Sequence, residues 1–177
     1  MSAAADLACG LIRPFEGLSL RAYPDPKSDL ARAMRKAGIM TAYMQGRAEI
    51  PPALRGLDGA PWTIGYGETL GVHEDMWWTQ EQAEAQLQRR AASFLLGVLG
   101  ACPQLLRESA TRQAACTSLA YNIGVKAFRL SSVSRCTMRR EYPAAGDRML
   151  LWNKGNGVVL PGLVARRKAE RAMYLTA

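Results

Sequence analysis

The sequence predicts an α+β protein, mostly helical, with one small sheet near the N-terminus. Three observations carry that expectation. Apolar residues recur at helical spacing through much of the 177 residues. One short run, Trp62-Thr63-Ile64-Gly65-Tyr66-Gly67, alternates β-formers with small residues. The length suits a single domain and is enough to bury roughly 70% of the unfolded surface. A hydrophobic share of 49% beside a charged share of 21% excludes wholesale disorder.

Each element follows in order. Leu7, Leu11 and Phe15 recur four apart and predict a helix over 3–15, ended by Gly17. Pro24 and Pro26 keep residues 21–26 extended. Over 28–46 helical spacing returns, with Leu30, Met34, Ala37 and Met40 or Met44 on one face and Asp29 as a candidate cap. Pro51, Pro52, Gly56, Gly59 and Pro61 make 47–61 a loop. The strand at 62–67 comes next, with close backbone approach at its glycines. Thr79-Gln80-Glu81-Gln82 is a capping box that opens a long helix to about residue 99. Pro103 starts a short helix. Residues 110–123 predict a helix with Ala114, Leu119 and Ile123 on a buried, alanine-rich side. Further helices fit 131–140, 143–152 and 162–175, where Trp152 and Tyr174 are spaced as core residues. Loops fall at Gly124 and at 155–161.

Charge is unevenly spread. Residues 1–125 hold 12 basic and 12 acidic side chains, whereas residues 126–171 hold 11 basic and 3 acidic, so the whole formal charge of +8 sits in the last third. Such a segment predicts attraction to a polyanion: nucleic acid, anionic lipid or an acidic cell wall. Nucleic-acid readers carry a recognisable module or aromatics interleaved with the basic run, and neither is present, so no nucleic-acid partner is expected. The N-terminal residues lack a basic n-region and a long apolar run, which predicts no signal peptide. The longest apolar stretch, 91–102, is about half of the roughly 20 residues that span a bilayer, which predicts no transmembrane segment.

Cys9, Cys102, Cys116 and Cys136 show no CxxC spacing, and the one histidine, His73, has no ligand partner in sequence. No metal site is therefore expected. The cysteines read as reduced, buried thiols, with a disulfide open to a protein that ends outside the cytosol.

The chemistry lies near the front. Glu16, at a helix end, is followed nine residues later by Asp25 in a proline-flanked loop. Two carboxylates on different elements suit glycoside hydrolysis, in which one donates a proton to the leaving oxygen and the other acts ionised on the opposite ring face. Alone, that spacing is a weak signal, since a solvated Asp and a salt-bridged Glu nine apart occur in most proteins. Its surroundings are more specific. The run from Phe15 to Asp25, followed by Trp62-Thr63-Ile64-Gly65-Tyr66-Gly67, resembles the active-site signature of phage-type lysozymes, the endolysins of the T4-lysozyme-like glycoside hydrolase family. Ala120-Tyr121-Asn122-Ile123-Gly124 is similar to the family's AYN-x-G helix end, and Leu151-Trp152-Asn153-Lys154 with the run from Leu160 to Arg171 is similar to its C-terminal block.

The resemblance implies a lysozyme-like fold with a small antiparallel β-sheet subdomain, in one catalytic domain over 1–177. It implies a muramidase that cleaves the β-1,4 bond between N-acetylmuramic acid and N-acetylglucosamine in peptidoglycan and lyses the host. Glu16 matches the catalytic acid, Asp25 the second carboxylate, and Thr63 the threonine that helps hold the attacking water. Asp25 stays open between base and nucleophile, because carboxylate separations of about 6.5–9.5 Å mark inverting enzymes and about 5–5.5 Å retaining ones. Tyr66 and Asn122 match substrate-binding positions, with core packing the alternative for Tyr66. Arg166 or Arg167 could orient Glu16 or be an ordinary helix-face charge. No cofactor is implied. Synthesis in the host cytoplasm, holin-dependent release to the periplasm and cell wall, and action as a monomer follow from the same resemblance.

Two departures stand out. Residues 26–62 separate Asp25 from Thr63, where the family has a short hairpin, so an insertion at about 26–61 is expected to border the cleft as a lid or wall, or to be a surface decoration. Glu68 replaces the histidine common after the strand, placing a third carboxylate where it could act on Glu16 or pair with a basic neighbour. The competing readings are a non-enzymatic binder using the basic last third and an inactive wall-binding protein on the same scaffold. The retained Glu16, Asp25 and Thr63 argue against the latter.

Overall fold

A computed structural model describes residues 2–176. The first helix, α1 (Ala3–Glu16), ends on the predicted acid. Its buried face is not the Leu7–Leu11–Phe15 stripe: Ala4, Ala5, Ala8, Cys9, Leu11 and Ile12 are buried, while Leu7 is exposed. Small side chains let the helix pack closely, and Ala4 and Ala5 sit in a cluster with Leu95. Strand β1 (Ser19–Pro24) follows and pairs antiparallel with β2 (Trp62–Gly65), in a register that sets Tyr23 opposite Thr63.

The insertion between these strands is two helices, α2 (Asp29–Lys36) and α3 (Met40–Met44), rather than the one expected. Gly38, at φ +71°, breaks the run in the left-handed region that favours glycine. Ser28, not Asp29, is the cap: its Oγ accepts from Ala31 N at 3.1 Å. Leu30, Met34, Tyr43 and Ile50 form the insertion's own core, and Tyr23 and Trp62 of the sheet pack against it. Arg21 ties it down further. This buried guanidinium donates to the carbonyl of Ala48 at 2.8 Å and to Glu49 Oε2 at 2.6 Å, and stacks 3.8 Å from the Tyr43 ring. The insertion also returns to where it left: Asp25 N donates to the Gly59 carbonyl at 3.0 Å and Leu30 N to that of Asp58 at 3.1 Å. A 37-residue excursion thus still delivers Thr63 to its strand position.

Gly65 closes β2 at φ +62°, and a Cβ there would lie 2.8 Å from the Trp78 ring. Gly65→Ala is expected to destabilise by at least about 1–2 kcal/mol from backbone strain alone, read as a lower melting midpoint of the full chain.

The capping box forms as read: Thr79 Oγ1 accepts from Gln82 N at 3.2 Å, and Gln82 Oε1 accepts from Thr79 N at 2.7 Å. It opens α4 (Gln80–Ala101), and residues Pro103–Arg107 form a 3₁₀ turn. The next helix, α5 (Ala110–Ile123), is buried on every side from Ala114 to Tyr121 and is the centre of its core. Its buried residues are mostly small, and its buried hydroxyls are bonded: Thr117 donates to the Gln113 carbonyl at 2.8 Å and Ser118 to Glu170 at 2.7 Å. Around it lie α6 (Val125–Leu130), α7 (Ser132–Met138), α8 (Tyr142–Met149) and α9 (Pro161–Leu175). The loop expected over 155–161 instead begins as a short hairpin of β3 (Lys154–Gly155) and β4 (Val158–Val159). Helix α6 follows Gly124 directly, and six residues are too few to show a helical period.

The chain divides into two compact units. One comprises residues up to Phe15 together with Gln88 onward, and the other is Glu16–Leu87. Among the described residues no helix is long and apolar enough to cross a membrane.

In the first of these units, Glu108 accepts from Tyr142 and Gln104 at 2.7 Å each and pairs with Arg112 at 2.8 Å. Burial pushes its carboxyl up, but these donors outweigh it and hold the group below the usual range. Such a group adds stability above its unfolded pKa of about 4.3 and loses it as pH falls through the lower folded value. Urea melts between about pH 3 and 6 are expected to show a steeper acid loss in the parent than in Glu108→Gln.

Candidate active site

Glu16 is the last residue of α1 and the first of the Glu16–Leu87 unit. Gly17, at φ +70°, turns the chain sharply into β1, so the carboxylate sits at a helix end rather than on a helix face. It lines a cavity of about 130 Å³ with Gly17, Leu18, Ser19, Tyr23, Met44 and Gly65. Gly67 stands behind it: a Cβ there would lie 3.8 Å from Glu16 Oε2.

Tyr23 is the residue on which the predicted site converges. It faces Thr63 across the sheet. Directly opposed residues of an antiparallel pair project from the same face. Burial pushes the Tyr23 phenol up. Thr63 pulls it down, and the negative charges of Glu16 and Asp25 push it up again. Glu16, Asp25 and Thr63 therefore all lie within electrostatic reach of one phenol.

Asp25 closes β1. Its Oδ1 accepts from Lys27 N at 2.6 Å and its carbonyl from Ser28 N at 2.9 Å. These contacts fix the turn into the insertion and so the aim of the carboxylate.

The other sequence candidates are placed as follows. Tyr66 is buried at 6% exposure, and its hydroxyl donates to Glu84 Oε1 at 2.6 Å. Asn122 is exposed at the end of α5, in the other unit, and its Oδ1 accepts from Arg167 Nη2 at 3.3 Å. Glu68 Oε1 accepts from the amides of Thr69 and Leu70 at 2.9 and 3.0 Å, and its Oε2 accepts from Gln86 at 2.7 Å, so the third carboxylate is engaged by its own turn and by α4. His73 is exposed.

Arg166 and Arg167 are not helix-face charges. Both are buried and share Glu170, through Arg166 Nε at 3.2 Å and Arg167 Nε at 3.0 Å. Ser118 Oγ donates to the same carboxylate at 2.7 Å.

Two wall residues were missed from sequence. Met44 comes from the insertion, and nothing in a helical apolar stripe marks which of its members will face a cavity. Tyr23 lies inside the quoted motif, but its role emerges only with the register that sets it against Thr63. Among the described residues no group of three or more His, Cys, Asp or Glu side chains is arranged to hold a metal ion.

Residues 50–170 match the phage lysozyme family, a segment that includes Thr63, Tyr66 and Asn122 and begins after Glu16 and Asp25. The chain belongs to the phage lysozyme family. It is 34% identical over 120 residues to the endolysin of Acyrthosiphon pisum secondary endosymbiont phage 1, a match covering 66% of this chain and 81% of that one. It is 35% identical over 118 residues to the endolysin of Bacillus phage B103, where the match covers 65% of this chain and 43% of the longer relative. The fold is lysozyme-like. The muramidase domain of SpmX from Asticaccaulis excentricus superposes with a TM-score of 0.72 at 26% identity, covering 96% of this chain and 95% of that one. An endolysin from the Escherichia coli O157:H7 phage FAHEc1 gives 0.67 at 26% identity, covering 96% and 91%.

Proposed function

We propose that this protein is an endolysin, a muramidase that hydrolyses the β-1,4 bond between N-acetylmuramic acid and N-acetylglucosamine in peptidoglycan and thereby lyses the bacterial host. Glu16 acts as the general acid and protonates the leaving glycosidic oxygen. Asp25 is the second, ionised carboxylate, and Thr63 Oγ1 holds the attacking water. The observation that carries this reading is the convergence of Glu16, Asp25 and Thr63 on Tyr23 within one unit of a phage lysozyme family member. The chemistry needs no metal or cofactor. Of the two substrate-binding candidates, Asn122 is exposed and Tyr66 is buried.

Synthesis in the host cytoplasm and holin-dependent release to the periplasm complete the reading, with the protein acting as a monomer and without nucleic acid. The basic segment 126–171 then draws it to the anionic envelope, an attraction that salt weakens. The test is turbidity loss of outer-membrane-stripped Gram-negative cells, run beside the appearance of new reducing ends in purified peptidoglycan. Both are expected. Binding to peptidoglycan without new reducing ends would overturn hydrolysis in favour of an inactive wall binder.

A further inference from the structure

Two guanidiniums and a carboxylate are expensive to bury in a helical core, and well-packed apolar residues of similar volume often stabilise a fold as well. Here the buried cluster leads to an exposed side chain. Glu170 and Arg167 are fully buried, and the Ser118 hydroxyl of α5 donates to Glu170 Oε1 at 2.7 Å. Arg167 lies along the same carboxylate, with Nε 3.0 Å from Oε2 and Nη2 3.1 Å from Oε1. The same Nη2 donates to Asn122 Oδ1 at 3.3 Å. Asn122 is exposed on the last turn of α5, just before Gly124 turns the chain away at φ +86°. The path Ser118–Glu170–Arg167–Asn122 thus runs from α5 to α9 and back to α5 within one unit.

That contact fixes which way the amide faces. A guanidinium only donates, so the Asn122 atom set against Arg167 is the carbonyl oxygen. The two N–H donors sit on the other arm of the amide, turned away from Arg167. We propose that Arg167 is a positioning residue for the substrate: anchored by Glu170, it takes the Asn122 carbonyl oxygen and so presents the Asn122 N–H donors to the carbonyl oxygen of a glycan N-acetyl group. An unanchored asparagine on a surface turns readily about its last bond and offers donor and acceptor alike. The buried cluster removes that choice. The resulting preference is for an acceptor. An acetamido carbonyl fits it, whereas the ammonium of a deacetylated sugar has only donors and does not. The buried ions then serve recognition as well as the fold.

This role rests on the muramidase reading and on Asn122 as a substrate-binding residue within it, and the experiment separates them. The probes are solubilised peptidoglycan and the same material after chemical N-deacetylation. Asn122→Asp keeps an oxygen for Arg167 and replaces the donors with a second oxygen. On native glycan its KM is expected to rise about tenfold, the equivalent of one hydrogen bond, with kcat within about twofold of the parent. Its melting midpoint is expected to stay within about 4 °C of the parent. The parent is expected to prefer native over deacetylated glycan, and both Asn122→Asp and Asn122→Ala to lose that preference. Arg167→Met is expected to lose most of it and, added to Asn122→Ala, to cost nothing further in KM. The Asn122 variants change an exposed residue, so they decide the matter if Arg167→Met does not fold. Parent KM in Asn122→Asp would overturn the proposal, as would an undiminished acetyl preference in Asn122→Ala or in folded Arg167→Met. Glu16→Gln at the parent rate would instead overturn the muramidase reading beneath it.

Discussion

Glu16→Gln is expected to reduce the rate of peptidoglycan cleavage by about 10²–10⁴-fold, the range a positioned general acid contributes. Glutamine keeps the volume and most of the hydrogen-bonding geometry of glutamate but carries no proton for the leaving oxygen. The site tolerates the exchange sterically, because Gly67 leaves space at the carboxylate and the cavity beside it is about 130 Å³. Glu16 ends α1 outside the hydrophobic clusters, so the melting temperature is expected to move little. Initial rates of reducing-end release give the measurement. A variant that cleaves at the parent rate removes Glu16 from the chemistry and leaves the acid to be sought elsewhere in the unit.

The largest expected effect on stability lies in the other unit. Glu170→Ala is expected to cost about 3–5 kcal/mol, the usual penalty for removing one member of a buried ion cluster. Glu170 is fully buried, and its carboxylate serves Arg166, Arg167 and the Ser118 hydroxyl together. Burial pushes its carboxyl up, and the two guanidiniums and the Ser118 hydroxyl offset that only in part. Without it, two buried guanidiniums lose the anion they share. Thermal melts of the full chain are expected to show a fall of about 10 °C or more. A fall corresponding to less than about 1 kcal/mol would mean that the carboxylate is not what balances the arginines. The exposed pairs Arg32–Asp29 and Arg139–Glu141 have no comparable leverage, since water already solvates both partners.

The sequence made the local features legible and left the convergent ones hidden. The capping box at Thr79 and the breaks at Gly17 and Gly124 are contained in a few adjacent residues, and they form as read. Helix α5 was legible as alanine-rich, although its burial on all sides depends on neighbours as distant in sequence as Leu11 and Tyr174. Arg166 and Arg167 look like a solvated face in a run as charged as RRKAER. Their burial follows from Ser118, Asn122 and Glu170 meeting them, and no spacing rule encodes that. The insertion's helical spacing was legible, but a single glycine in it divided one expected helix into two. Glu16, Asp25 and Thr63 were picked out by resemblance. Tyr23, two residues before Asp25, was invisible as a site residue because only cross-strand register reveals what it faces.

All four cysteines are buried thiols outside any disulfide and are confined to one unit, the one formed by residues up to Phe15 with Gln88 onward; Glu16–Leu87 has none. Burial pushes the thiols of Cys102 and Cys116 up, so little reactive thiolate exists even where a reagent could arrive. A protein that leaves a reducing compartment for an oxidising one would therefore carry its thiols across unchanged for as long as that half stays closed. The rate at which a thiol reagent finally labels it becomes a clock for the opening of that half alone, silent about the half that holds Glu16, Asp25 and Thr63.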